Sequence, residues 1–354
     1  MYLSKDQEDT IIWSALSEPG DALAYLIFLF RGPQAITDIK SGRAMKIWSK
    51  ALEDSAPEYL PGLPAMLERV NLRLPKVQLG ILVERAIRWN ARPVFPEAHR
   101  ALWSKFTDLE LHQPYLLWVA GDVTSLEQTS VSIVGTRNPS EKGLQNSRKL
   151  VKQLGLPVVS GGAKGIDAAA HQTALDLGMP TVAFMAGGID RAYPQENWDL
   201  FHKMVRSSGA LVSELVPFTA PSRFRFLQRN RLIAAAGNST FVVEAGFRSG
   251  SKNTASHARA CGREVFAIPG SFSDTSAQGC NAMIKEGLAK PWMLNAQVEV
   301  EESMEAKRVL DAYRDGARTP SEISAESGIR ITDIQRLLSE LNSLGDFIPV
   351  VTKL

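Results

Sequence analysis

The sequence predicts a doubly wound α/β fold built on a mostly parallel sheet, with helical modules before and after it. Three observations carry that reading. From Ser130 onward, short β-branched or apolar runs alternate with amphipathic stretches, glycines follow nearly every run, and positive charge gathers in the same region. Alternation of this kind implies βαβ crossovers, which place helices on both faces of a parallel sheet.

The first ~115 residues read as helices separated by Pro19-Gly20, Gly32-Pro33 and Pro61-Gly62, and Pro93 and Pro96 break the pattern before a Trp-rich passage, Trp103 to Trp118. Six strands follow: Val131–Val134, Pro157–Val159, Thr181–Phe184, Ala210–Val212, Thr240–Val243 and Glu264–Ile268. Amphipathic segments lie near 141–154, 166–178, 196–208, 228–236 and 252–261. Residues 293–303 form an acidic connector. Beyond it Met304–Asp315 reads as a helix, and Thr319-Pro320-Ser321-Glu322 as a helix start with Pro in first position. Apolar residues at helical spacing in Ile331–Leu344 and a strand at Phe347–Val351 complete the outline of a winged helix. The expected domains are thus 1–115, 116–292 and 304–354, with 293–303 as linker.

Net charge over the 354 residues is +2, which taken alone argues against a polyanion ligand. Divided at the changes of texture it is −2 over residues 1–129, +8 over 130–292 and −4 over 293–354. A basic middle between acidic ends reads as an anion-binding module. The winged-helix segment 304–354 holds 7 basic and 8 acidic side chains, so protein contact or packing suits it at least as well as groove reading.

Several classes are excluded. Two cysteines, Cys261 and Cys280, with no CxxC pair, leave neither a disulfide framework nor a thiolate zinc site. The polar start MYLSKDQEDT is no signal peptide, and the run Ala22–Phe30 falls short of the ~20 residues of a membrane span. A reduced cytoplasmic protein without membrane contact is the expectation. No G-x-G-x-x-G follows the first strand, no P-loop occurs, and no G-x-S-x-G elbow is present. No nucleotide cofactor or metal is therefore expected.

In a doubly wound sheet, ligands bind beyond the carboxyl ends of the strands. Gly135-Thr136-Arg137 follows the first strand there, and Ser160-Gly161-Gly162-Ala163-Lys164-Gly165-Ile166-Asp167 the second. Later ends carry Gly187-Gly188 with Tyr193-Pro194 beyond, Ser213-Glu214, Glu244 with Ser249-Gly250-Ser251, and Pro269-Gly270. Glycines let backbone approach an anion, and helix N-termini aim free N–H groups at it. Before the fifth strand, four arginines and two phenylalanines interleave in Pro221-Ser222-Arg223-Phe224-Arg225-Phe226-Leu227-Gln228-Arg229-Asn230-Arg231. Arginine pairs with phosphate and aromatic faces stack on unpaired bases, so this passage suits sequence-tolerant single-strand binding. Asp167 and His171, four apart on one helix face, read as a hydrogen-bonded or capping pair. An enzyme acting at an N-glycosidic bond, with Glu244 or Asp167 as acid/base, is the alternative use of the same crevice.

The strings SIVGTR, VVSGGAKGIDAAAH, GGIDRAYPQEN, GALVSE, RFRFLQRNRLIA, FVVEAGFRSGS and GREVFAIPG, with the Gly279–Asn281 turn, occur in order over about residues 130–292. Together they resemble the DNA-processing protein A (DprA/Smf) family. The N-terminal helices fit that family's small SAM or helix-hairpin-helix-like domain more loosely, and the C-terminal segment its winged helix. The resemblance implies an extended Rossmann-like domain that binds single-stranded DNA, and a homodimer that places the recombinase RecA on that strand during DNA uptake. Carried over by motif, Arg137, Lys164, Arg223 and Phe226 are the leading DNA contacts, supported by Arg229, Asn230 and Arg231. The strand-end residues Gly135, Ser160, Gly161, Gly162, Gly165, Ser249, Gly250 and Ser251 would line the path. The dimer surface maps to the helix after Ser251, with Lys252, Asn253 and His257. The family usually carries an aliphatic pair where Lys252-Asn253 stands; a polar pair would reshape the dimer contact or extend the basic rim. That family's relatives acting at N-glycosidic bonds carry P-G-G-x-G-T, and Pro269-Gly270-Ser271 lacks it.

Overall fold

The computed structural model describes residues 1–294 except 123, 248 and 272, and then residues 305, 308–309, 311–312, 315–317, 319–334 and 337. The chain forms two compact units, Met1–Leu294 and Asn295–Leu354.

The first unit opens with six helices: α1 (Lys5–Leu16), α2 (Ala22–Arg31), α3 (Gln34–Lys40), α4 (Ala44–Ser55), α5 (Leu63–Arg73) and α6 (Leu79–Arg88). Local chemistry fixes their starts. Ser4 and Gln7 form a reciprocal capping box on α1, and Asp21 accepts from the Ala24 N–H at 3.1 Å to cap α2. Trp13, Ile27, Ile36, Trp48 and Leu52 pack between these helices with almost no exposure. Buried Asp38 accepts from Arg31 Nε at 2.6 Å and from Trp48 Nε1 at 3.0 Å, so that this buried carboxylate is bonded on both sides.

A nine-stranded sheet follows: β1 (Ala91–Val94), β2 (Leu117–Gly121), β3 (Val131–Val134), β4 (Val158–Ser160), β5 (Thr181–Phe184), β6 (Ala210–Ser213), β7 (Ser239–Val242), β8 (Glu264–Ala267) and β9 (Lys290–Pro291). Their order is β1-β2-β6-β5-β4-β3-β7-β8-β9. Pairs from β6 through β3 to β9 are parallel, while β1–β2 and β2–β6 are antiparallel. The six expected strands thus appear, and three more join them. β1 arises within residues 1–115, where the sequence shows helices only. Pro93 sits in this strand at the sheet edge, where a missing N–H donor is tolerated.

The helices after β1 are α7 (Arg100–Trp103), α8 (Glu141–Leu154), α9 (Ile166–Asp176), α10 (Trp198–Arg206), α11 (Arg223–Ala236), α12 (Ser251–Ala260) and α13 (Gln278–Lys285). Two-residue periodicity sorts strand side chains onto two faces. On one face Leu232 and Ile233 of α11 and Ala255 and Ala258 of α12 pack with Val134, Val159, Val182 and Val242. On the other, Leu150 and Val151 of α8 and Ile166 and Ala170 of α9 pack with Val131, Ile133 and Val158. Burial on both faces is why the parallel strands read as continuous apolar runs.

In the second unit, α14 (Pro320–Ser327) carries the expected start: Thr319 and Glu322 form a capping box, and Gly328 closes the helix at φ 69°. Val309, Ala312, Ile323, Ile329, Ile334 and Leu337 form its core. The expected strand Phe347–Val351 and the end of the Ile331–Leu344 helix lie outside the described residues. Among the described residues no helix is long and apolar enough to cross a membrane.

Candidate nucleic-acid interface

Strand order reverses at β3: β4, β5 and β6 extend to one side of it and β7, β8 and β9 to the other. The loops leaving β3 and β7 therefore part, and a crevice opens beyond their carboxyl ends. The structure has a cleft of about 390 Å³ at this point. Gly135, Thr136 and Arg137 line it from the β3 loop, Ala163 and Asp167 from the β4–α9 turn, and Phe226, Arg229 and Asn230 from α11. Phe247, Ser249, Gly250 and Ser251 close the β7 side, where the N-terminus of α12 meets the cleft. The Thr136 N–H donates to Glu244 O at 2.8 Å and ties the two walls together.

Backbone at the cleft runs too close for side chains. A Cβ on Gly161 would stand 2.7 Å from Arg229 Nη2. Gly165, at φ +81°, holds the turn into α9 with its Cβ position 2.5 Å from Thr136 O. Asp167 staples the same turn, accepting from the N–H groups of Gly161 at 3.1 Å and Ala163 at 3.3 Å. Burial pushes its carboxyl pKa up, against the opposing pull of Arg229 and those two amides.

Arg229 lies under the cleft, 5% exposed. Its Nη1 donates to Gly161 O at 2.8 Å and also to Phe184 O, bracing the ends of β4 and β5. Burial pushes its pKa down to about 10, which leaves it charged at neutral pH. Above it Phe226 is half-buried. The Arg137 guanidinium stands 4.8 Å from the Phe226 ring centre and Arg229 5.8 Å, while Tyr193 meets the ring edge-on at 5.8 Å. Arg137 itself is exposed at the mouth.

The expected site residues divide accordingly. Gly135, Arg137, Phe226, Arg229, Asn230, Ser249, Gly250 and Ser251 come together at the cleft, and Gly161 and Gly165 form the turn behind it. Lys164 is half-exposed beside the cleft and ion-paired to Glu196. Arg223 is exposed at the first position of α11 and has no ion pair among the described residues. Three residues do not face the cleft. Ser160 is fully buried and donates its hydroxyl to Ile133 O at 2.5 Å. Gly162 backs onto Phe201 of α10, with its carbonyl bonded to Asn197. Arg231 is 2% exposed, grips both oxygens of Glu214 at 2.6 Å, and donates to His112 O and Gln228 O. Buried and bonded through all three nitrogens, its guanidinium is withdrawn from the cleft.

Of the helix after Ser251, Lys252 pairs with Glu286 at 2.8 Å, Asn253 accepts from Asn230 at 3.1 Å, and His257 is half-buried with burial lowering its pKa. Asp167 and His171 do not bond each other: the His171 Nδ1 meets Thr181 Oγ1 at 2.7 Å. Glu244 accepts from the Ser140 N–H at 3.0 Å and its hydroxyl at 2.7 Å, anchoring the start of α8. The Gly279–Asn281 stretch opens α13, and Asn281 holds both backbone polar groups of Gly270. Among the described residues no cluster of His, Cys, Asp and Glu is arranged to hold a metal. Sequence reasoning missed Phe247 as a cleft residue, although an aromatic between two strand-end motifs was a usable signal.

Fold and site together define a doubly wound α/β protein with a glycine-walled, arginine-bearing crevice at its switch point. Residues 93–303 match the DNA recombination-mediator protein A family, and the chain belongs to that family. It is 38% identical to DNA processing protein DprA of Bacillus subtilis over 259 residues, 72% of this chain and 84% of that protein. It is 42% identical to a putative DNA processing protein DprA of Mycobacterium tuberculosis over 181 residues, 50% of this chain; that match spans about half (46%) of the relative's length. The X-ray structure of DNA processing protein A from Streptococcus pneumoniae superposes with a TM-score of 0.62 at 27% identity, covering 82% of this chain and 95% of that one.

Proposed function

We propose that this chain binds single-stranded DNA without sequence preference across the carboxyl edge of its sheet. In the cytoplasm, as a homodimer, it would deliver that strand to the RecA recombinase during DNA uptake and recombination. One observation carries the binding reading: the Arg137 guanidinium rests on Phe226 at the mouth of a glycine-walled cleft, in the most basic part of the chain. Phosphates would meet Arg137, Lys164 and Arg223 and the backbone N–H groups of the β3 and β7 loops, while bases meet aromatic faces. The RecA and dimer roles draw their support from family membership. Lys252, Asn253 and His257 are the proposed dimer positions; within the chain Lys252 pairs with Glu286 and Asn253 bonds to Asn230.

The reading gives the cleft no catalytic role. Glu244 and Asp167, the acids an N-glycosidic reaction would call on, are both buried and engaged by backbone N–H groups. Fluorescence anisotropy with oligo-dT and a matched duplex across a salt series tests the proposal. Tighter oligo-dT binding is expected, with affinity falling steeply with salt. The Arg137→Ala/Lys164→Ala pair should weaken it and lower the salt slope by about two at most. Equal affinity for the duplex, or a double variant that binds normally, would refute the assignment.

A further inference from the structure

A second cavity, of about 600 Å³, lies between α6 and α10 and shares no lining residue with the cleft. Its floor includes Ala120 of β2 and Leu211 of β6, which are partners across the antiparallel pair. One wall is the face of α10 that carries Trp198, Phe201 and Val205 at helical spacing. The other is Trp89, just past the end of α6, whose ring meets Trp198 edge-on at 5.4 Å. Trp198 is held in place by its Nε1, which donates to Ala192 O at 3.3 Å. An apolar cavity of this size with a few polar groups at its margin has the form of a small-molecule site, for which about 300–1,000 Å³ is usual.

The polar margin has one sign. No carboxylate lines the cavity, whereas Arg88, Arg206 and His202 do, all three exposed. Arg88 pairs with Glu84 one turn back on α6, an exposed pair of the kind that exchanges readily. Arg206 has no ion pair among the described residues. Asn90 also lines the cavity, where it closes α6 in the left-handed region at φ 50°, and its side-chain amide has no hydrogen bond among the described residues.

We propose that this cavity binds a small-molecule anion with a flat apolar body. The body lies against Trp89, Trp198 and Phe201, and the acidic group meets Arg206 and the Asn90 amide. Occupancy has a short route to the cleft. Phe201 also backs the glycine-rich turn after β4, where a Cβ on Gly162 would stand 2.9 Å from its Cε1. Asn197, just ahead of α10, donates to Gly162 O at 2.9 Å, and Glu196 beside it pairs with Lys164. A ligand that shifts Phe201 or α10 therefore shifts the turn that carries Lys164, and the two ligands alter each other's affinity by the same factor. This coupling rests on the single-strand reading above; the cavity itself does not.

Anilinonaphthalene sulfonate, a fluorescent anion on flat apolar rings, is the probe, titrated into the full-length protein. One saturable dye per chain is expected. Arg206→Glu should weaken it about tenfold and Arg206→Lys should keep it, which adsorption to apolar surface alone would not do, since residue 206 is exposed and the apolar walls are unchanged. Dye binding equal in wild type and Arg206→Glu, or lost in Arg137→Ala instead, overturns the site. Anisotropy of a red-labelled oligo-dT then reads the coupling. Saturating dye should change the wild-type affinity by about fivefold or more. Arg206→Glu should bind oligo-dT like wild type without dye and show no such change at the same dye concentration. A change of equal size in both proteins places the dye's action at the cleft and overturns the coupling, as does unchanged wild-type affinity. A wild-type protein that does not bind oligo-dT overturns the single-strand reading, and the dye titration decides the cavity by itself.

Discussion

His171 illustrates how a residue with a catalytic reputation becomes a folding element. It is fully buried between α9 and β5, bonded through Nδ1 to Thr181, with its Nε2 unpartnered. Burial first, and the nearby Arg229 charge second, push its pKa down to about 3 from the usual 6.5. An unfolded chain takes a proton at this site near pH 6.5, and the folded one only near pH 3. Between those values the unfolded state holds more protons, so stability falls as the pH falls through the window. Replacing His171 with Gln should flatten the dependence of urea midpoint on pH between 6.5 and 4, where the histidine costs ~3 kcal/mol at most. An unchanged slope would show that the site is hydrated or protonated in the fold. Asp167 shows the same conversion, since its carboxylate is occupied by two backbone amides of the glycine-rich turn.

At the scale of elements, α11 decides which arginines can meet a ligand. Ser222 caps it, accepting from the Arg225 N–H at 3.3 Å, so the Arg/Phe passage is itself the first two turns of the helix. The sequence reading starts this helix near 228 and misses that phase. With about 100° per residue, Phe226, Arg229 and Asn230 share one face, while Arg231 is turned ~200° from Arg229. The first face meets the cleft, and the opposite one sends Arg231 into the interior against Glu214. Arg231→Ala should therefore destabilise the protein by about 3–5 kcal/mol in chemical denaturation, because Glu214 is left buried and unpaired. Oligo-dT affinity of the folded fraction should stay at the wild-type level; a lowered salt slope would return Arg231 to the interface. The strands, the capped helices and the strand-end glycines were legible because each is encoded in a few neighbouring residues. β1 and β2 were not, since β2 is placed by pairing with β6, about a hundred positions away, and β1 is held at the edge by β2, which leaves only weak local patterns.

For the whole molecule, the useful quantity is where charge lies. The stretch 130–292 carries +8 and supplies the cleft, whereas 293–354 carries −4. A chain ending at Leu294, the boundary of the first compact unit, should keep salt-sensitive oligo-dT binding in the anisotropy assay. Loss of binding on truncation would move part of the interface into the acidic unit. Alternation of strands and helices, the basic middle and the family motifs were determined by the sequence alone, because periodicity, composition and spacing are local properties. Only the tertiary structure decided that Arg137 and Phe226 form a stack, that Arg231 and Ser160 turn inward, and that Phe247 lines the cleft. Those outcomes depend on helix phase and on partners distant in the chain, and a side chain's direction is set by what packs against it.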